Sequence, residues 1–455
     1  MKVLFIAPSQ YSIGELHNAI YLARQLLQHG VSCHFLTSTK FSDYARQAGM
    51  VVTPLARQVK QTTVVDACIR SFQPNIVILA DYHILEIESQ LVDLNHMMSL
   101  DIPVATIDSL SLATQSMTLY NELFRHGSNG KGKSRMEYET KLRKAPESMR
   151  IIRTCPINHP RQEDENIVPV TLYTEAFSID SELRRKVRAD LGCSDEDKLI
   201  MLSKAAWANF FVKMRRLESG IHMNKKYSYE HMIQQLMLSY LGEKELPSKV
   251  IIVGIGPEDN YMAIQHQKQI QFKAMPFLNL DEYEQLLFSC DLFITDNITS
   301  CSMAKAVFGY VPVLSLMNSQ LQSEQGDVHI PDSWEKYRNQ LEPIIEQWQS
   351  VLATGIYPFI TFPNGWVDEL SPLLTDNPWL EAIQTAEIFD IQGTGTLMYD
   401  LLYCKEKKQA VYERQESYIQ QIIQAPNAMD MYNQLVGNKE ENRNEDRKST
   451  ETTIR

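Results

Sequence analysis

Twice along this chain, short uninterrupted apolar runs alternate with segments of helical spacing, and no other feature constrains the fold as much. A strand with one face in water alternates apolar and polar residues; a strand that is apolar throughout must be covered on both faces. Strands of that kind, separated by helices, form a parallel sheet with helices on each side. In the first series the apolar runs are Val3–Ala7, Ile76–Ala80 and Val104–Ile107, and Val31–Thr37 and Val51-Val52 read as further strands among them. Between the first two strands, Leu16, Ala19, Ile20, Ala23 and Leu26-Leu27 recur on one helical face over Glu15–His29, and Gly30 supplies the stop. Ile151–Thr154 and Val168–Tyr173 read as late strands of the same series. The alternation restarts near residue 180, with strands expected at Leu199–Ser203, Val250–Val253, Leu292–Thr295 and Val311–Leu316. Helices are expected at Ser181–Gly192, Tyr229–Leu241, Leu280–Ser289 and Ser302–Phe308. Two doubly wound α/β domains follow from this pattern.

The expected boundaries are a first domain over 1–175, with 119–166 as an insertion or loop, and a second over 176–405, with a helical insertion at 318–355. Gly127 to Ser134 is polar and glycine-rich, but its glycine spacing is not that of a phosphate-cradling loop. Tyr357–Phe362 reads as a late strand. A C-terminal helix is expected over 406–437, its core one long run at Gln409–Leu435, followed by a charged, disordered tail at 438–455.

Composition excludes more than it selects. With 44% hydrophobic and 22% charged residues among 455, the chain is an ordinary globular sequence. No apolar run approaches the ~18 residues of a membrane span, so no transmembrane segment is expected. A net charge of −12 argues against a nucleic-acid partner, which would call for a basic footprint. The seven cysteines are scattered without a CxxC pair, which favours a reducing, cytoplasmic setting over disulfides or a zinc site.

Candidate chemistry collects after the strands, where open α/β sheets bind their ligands. The loop after the first strand ends at Gly14, which allows close backbone approach, and Glu15 projects from the first helical turn. Glu15 is either a general base or a carboxylate that complements the helix dipole. His17 lies two residues on and points away from that face. Asp81 and Asp108 each follow a first-domain strand and could assist a base. In the second domain, a buried strand runs into Asp296-Asn297-Ile298-Thr299-Ser300-Cys301-Ser302 and then a helix. Asn297, Thr299, Ser300 and Ser302 either hold an anion at the helix N-terminus or simply cap it, and Lys305 could add a charge one turn in. Weaker signals are Gly254 and Gly256 in a strand-to-loop turn, Asn364 beside Trp366, and a basic set of Lys213, Arg215, Arg216, Lys225 and Lys226.

Taken together, Gly14 to Leu26 through Gly30, Arg188–Leu202, Pro276-Phe277-Leu278, Leu286-Leu287, Cys290-Asp291-Leu292-Phe293-Ile294-Thr295 and Val311-Pro312-Val313 resemble the GT-B glycosyltransferases, in particular the UDP-glycosyltransferase superfamily. The resemblance spans most of residues 1–316 as pattern. It implies two Rossmann-like domains facing across a cleft, with the terminal helix crossing back onto the first. It implies transfer of a sugar from a nucleotide-sugar donor to an acceptor hydroxyl on a small molecule, peptide or lipid. The transfer would be metal-independent and inverting, with no further cofactor. Departures from the family are plain. Glu15 stands where its catalytic histidine does, and Asp296-Asn297-Ile298-Thr299 stands where its donor loop reads Thr-His-Gly-Gly. Ser302 matches its diphosphate-contacting serine. Lys305 replaces a glutamate that accepts from ribose hydroxyls, which a lysine cannot do. A nucleotide-sugar 2-epimerase and a non-catalytic GT-B-like binding protein are the alternatives.

Overall fold

The computed structural model describes residues 1–10, 13–56, 61–83, 92–126, 133–160, 164–204, 229–256, 269–321, 329–351 and 366–437. It divides into two compact units. One comprises Met1–Met117, Leu142–Glu175 and the chain from Gln420 onward; the other comprises Thr118–Lys141 and Ala176–Ile419.

The sheet of the first unit contains β1 (Lys2–Ala7), β2 (Ser32–Ser38), β3 (Val51–Leu55), β4 (Ile76–Leu79), β5 (Val104–Asp108), β8 (Arg150–Cys155) and β9 (Ile167–Thr171). Their order is β3-β2-β1-β4-β5-β8-β9 and every pairing is parallel. The apolar runs are buried on both faces. Leu4 and Ile6 join one core cluster with Val77 and Leu79; on the opposite face Phe5 stacks on Phe35 with ring centroids 4.9 Å apart. Full burial of each such side chain stabilises by roughly 1.5–3 kcal/mol.

Two expectations for this region need correction. The span 119–166, expected as an insertion or loop, contains β8, which pairs between β5 and β9 and answers to the strand expected at Ile151–Thr154. A two-stranded sheet, β6 (Met117–His126) with β7 (Lys133–Leu142), precedes it. Lys133 and Ser134, expected in the glycine-rich loop, belong to β7, while 127–132 lie outside the described residues.

The second unit repeats the design with β10 (Lys198–Ser203), β11 (Val250–Ile255), β12 (Ile270–Met275), β13 (Leu292–Thr295), β14 (Val313–Met317) and β15 (Gln384–Glu387). The order is β12-β11-β10-β13-β14-β15, again all parallel. One face carries Ile200, Leu202, Ile252, Ile294 and Leu314 into a core with the helices Tyr229–Gly242, Arg338–Val351 and Ile391–Tyr403. The first and last of these helices pack closely at Gly395, where a Cβ would sit 2.4 Å from the Tyr240 carbonyl oxygen. A bulkier residue there would push the two helices apart.

The expected single helix over Gln409–Leu435 is in fact two. Lys405–Ile422 ends, and a second helix runs over 428–437. Pro426 interrupts the run because it has no N–H to donate and clashes with the preceding turn. Tyr357–Phe362 and the tail at 438–455 lie outside the described residues. Among the described residues no helix is long and apolar enough to cross a membrane.

Candidate functional site

In both sheets the strand order reverses beside the strand that comes first in sequence, between β1 and β4 and between β10 and β13. At such a point the flanking connections run to opposite faces and leave a crevice at the carboxyl ends, where α/β proteins take ligands.

In the second unit that position holds a small pocket. Ser203 ends β10 and Lys204 follows it, Asp296 follows β13, and Tyr229 and Glu230 open the helix Tyr229–Gly242. Lys204 is ion-paired with Glu230. The Tyr229 hydroxyl donates to an Asp296 carboxylate oxygen. Burial pushes the Tyr229 phenol well above its ordinary value, and the neighbouring Asp296 charge pushes it further, so it stays a neutral donor.

Beside the pocket begins the helix Cys301–Phe308. Ser300 is its N-cap, and no side chain caps it. Asn297 turns inward: its Oδ1 accepts from the Thr299 backbone N–H at 3.0 Å and from the Thr299 hydroxyl at 2.9 Å. Ser302 is held differently. The Tyr283 hydroxyl donates to Ser302 Oγ at 2.7 Å, and Tyr283 also interacts with the Ser203 hydroxyl. Burial raises the Tyr283 phenol to about 12 against the pull of those two serines. A serine that accepts from a neutral phenol has its own proton left to donate.

Lys305 does not face this edge. It is fully buried and its Nζ lies 3.0 Å from Glu284 Oε1, on the helix Leu280–Ser289. Gly254 is an interior residue of β11, opposite Leu202. Gly256 follows the strand with φ 150°, a conformation that residues with a side chain rarely adopt. Asn364 and the basic set at 213–226 lie outside the described residues. Trp366 opens the helix Trp366–Leu374 and is buried, which leaves little of its ring to stack on a ligand.

In the first unit, Gly14 starts the helix Gly14–Gln28, and Glu15 is the acidic residue of its first turn, half-buried. Asp81 follows β4 and is also half-buried. The two therefore share the carboxyl edge at the order reversal. His17 is buried and hydrogen-bonds with the Tyr44 hydroxyl. Asn18 Nδ2 donates to Ser109 Oγ at 2.6 Å, a tie from the helix to the loop after β5.

Asp108 is a different kind of residue from Asp81. It is 3% exposed, takes a 3.4 Å contact from Arg153 Nη2, and accepts the Leu112 backbone N–H at 2.9 Å. Asn158 Nδ2 donates to its backbone carbonyl at 3.1 Å. The Asp108 carboxylate thus organises its own loop. Among the described residues no group of three or more His, Cys, Asp and Glu side chains could hold a metal ion.

Sequence reasoning missed Ser203, Lys204, Tyr229, Glu230 and Tyr283. Ser203 ends β10 and Lys204 follows it, so the rule that singled out Asp81 and Asp108 at strand ends reaches them too. Tyr283 and Glu230 carry no local signal; only the tertiary fold brings them to the edge.

Two parallel, doubly wound α/β units in tandem make this a GT-B-like protein. The chain belongs to DUF6365, a family of unknown function whose model matches residues 22–439. No curated protein matches it. Among solved structures, the spinosyn forosaminyltransferase SpnP shares 11% identity at a TM-score of 0.50, over 96% of this chain and 98% of that one. The glycosyltransferase SnogD from Streptomyces nogalater shares 12% at 0.47, over 96% and 99%. Anabaena Alr3699/HepE, in complex with UDP-glucose, shares 12% at 0.48, over 97% and 100%. At such identities the likeness is one of fold.

Proposed function

We propose that this protein is a glycosyltransferase, moving a sugar from a nucleotide donor to an acceptor hydroxyl with inversion and without a metal. The observation that carries the reading is the carboxyl edge of the second unit. There a helix start without a side-chain cap, a serine with a proton to donate and a pocket at the order reversal lie together. Donors fixed in advance at a helix N-terminus stabilise the negative charge that builds on a departing diphosphate. In this reading Ser300 and Ser302 hold the diphosphate, while Asn297 and Thr299 shape the turn that aims them. The first unit supplies the acceptor side. Glu15 takes the proton of the attacking hydroxyl, Asp81 assists, and Asp108, tied to Arg153, keeps its loop in place. The likeness to the SpnP fold supports the assignment at the level of architecture.

The test is a melting-temperature screen across UDP- and dTDP-sugars, followed by product analysis with the stabilising donor and a panel of hydroxyl acceptors. A ligand bound only by the native state raises the melting temperature. Glu15→Gln should then lower kcat by ~10²–10⁴-fold with little change in donor affinity, and Ser302→Ala should weaken donor binding. Full turnover in both variants sinks the mechanism.

One observation favours a second reading, a binding protein without turnover: the pocket's polar groups are already paired with one another. Donor binding with no transfer or hydrolysis on any acceptor would select it.

A further inference from the structure

Lys204 is a pocket residue whose charge the proposed site does not use. It stands immediately after β10, at the reversal of strand order, with its side chain 14% exposed. Its counter-ion Glu230 is 4% exposed and sits in the first turn of the helix Tyr229–Gly242. Taking two charges this far out of water is unfavourable unless each satisfies the other. The first turn of a helix also favours negative charge. One carboxylate therefore answers two demands at once, the lysine's and the helix terminus's. An anionic ligand entering the same crevice would answer both equally well. Ser203, next in sequence to Lys204, adds a hydroxyl on the same wall.

We propose that Lys204 is a phosphate-binding residue of the second unit, and that Glu230 is an internal stand-in which the ligand's phosphate displaces. The inference rests on the nucleotide-sugar reading for the identity of the ligand and adds to it a specific cation and a specific competitor. No covalent step is involved. Phosphate oxygens replace the Glu230 carboxylate on the ammonium group, and Glu230 turns to solvent. The arrangement sets the affinity: a site that must first break its own ion pair binds more weakly than its contacts alone allow, and an uncharged residue at 230 removes the competitor.

The experiment is calorimetric titration of the full chain with UDP and, in parallel, with inorganic pyrophosphate. The proteins are wild type, Glu230→Gln, Lys204→Met and the double variant. Glu230→Gln should tighten both ligands about tenfold, and Lys204→Met should weaken both about tenfold. The double variant should bind like Lys204→Met, because without the lysine the carboxylate has nothing to mask. Should Glu230→Gln fail to fold, the double variant, which buries no lone charge, still decides: it must bind pyrophosphate about tenfold more weakly than wild type. Unchanged affinity in Glu230→Gln, or undiminished affinity in either protein lacking Lys204, overturns the proposal. So does the failure of both ligands to bind any of the four proteins. Pyrophosphate binding that responds to Glu230→Gln, with no preference for nucleotides, supports the Lys204 site while removing the nucleotide-sugar reading.

Discussion

Lys305 shows what a single residue can and cannot reveal about its neighbours. Its position one turn inside a helix that follows a polar loop points to an anion, yet its ammonium is fully buried against Glu284. The partner lies 21 positions away, on a different helix, and nothing in the local sequence links the two. His17 behaves in the same way, turning inward to Tyr44. Glu15, by contrast, is where the helix pattern puts it, in the first turn. Residues whose location follows from backbone periodicity were therefore legible, and residues whose role depends on a long-range partner were not. The Lys305 pair carries a testable stability effect. Removing one member of a buried ion pair leaves an uncompensated charge and costs roughly 3–5 kcal/mol. Glu284→Gln should lose about that much in urea denaturation, while Glu284→Gln combined with Lys305→Met should recover most of it. A loss below ~1 kcal/mol in the single variant would show that the pair is not dry.

At the scale of elements, those parallel strands that are buried on both faces could be read almost residue by residue because such burial leaves a near-continuous apolar run. Leu280–Ser289 and Leu292–Thr295 match the expected spans. The elements that escaped detection lack that signature. Strand β12, Ile-Gln-Phe-Lys-Ala-Met, is a half-exposed edge strand. β6 and β7 are rich in polar residues, and β6 ends and β7 begins beside the glycine-rich stretch. Gln384–Glu387 is too short and polar to register. The helix Leu280–Ser289 also owes its start to local chemistry. Asn279 Oδ1 accepts the Glu282 backbone N–H at 2.9 Å, and Glu282 Oε2 accepts the Asn279 N–H at 3.2 Å. That reciprocal cap satisfies two otherwise orphaned donors. The same helix carries Tyr283 and Glu284 at consecutive positions, so it fixes the Ser302 hydroxyl and the Lys305 ammonium together. Asn279→Ala should cost about 1 kcal/mol. Hydrogen exchange should locate the effect, with protection falling at the Glu282 and Tyr283 amides and unchanged in the helix Gly14–Gln28. Equal loss in both helices would mean that the cap acts globally.

For the molecule as a whole, two cores built from continuous apolar strands enclose many groups that ionise only in alkali. Burial raises the Cys33 thiol from 9.0 to about 12 and the Cys68 thiol from 9.0 to about 11. It also raises the thiols of Cys155, Cys193 and Cys290 and the phenols of Tyr229, Tyr240 and Tyr283. The sign follows from which state holds its protons more tightly. Folded values lie above unfolded ones, so the folded chain retains protons that the unfolded chain releases, and stability falls wherever that difference exists. The contribution is complete below pH 9 and is lost as pH climbs from about 9 through 12. Denaturation midpoints should therefore hold level, as far as these groups are concerned, up to about pH 9 and drop steeply above it. The same burial predicts which thiols react. Only Cys301 and Cys404 are half-exposed; the other five are buried. Because the thiolate is the reactive form, a burial-raised thiol is both hidden and protonated at pH 8. An alkylating reagent at that pH should modify two cysteines in the native protein, at 301 and 404, and all seven once urea is added. Prompt native-state labelling at Cys33 or Cys155, which lie in β2 and β8 of the first unit's sheet, would mean that those strands open far more readily than their burial implies.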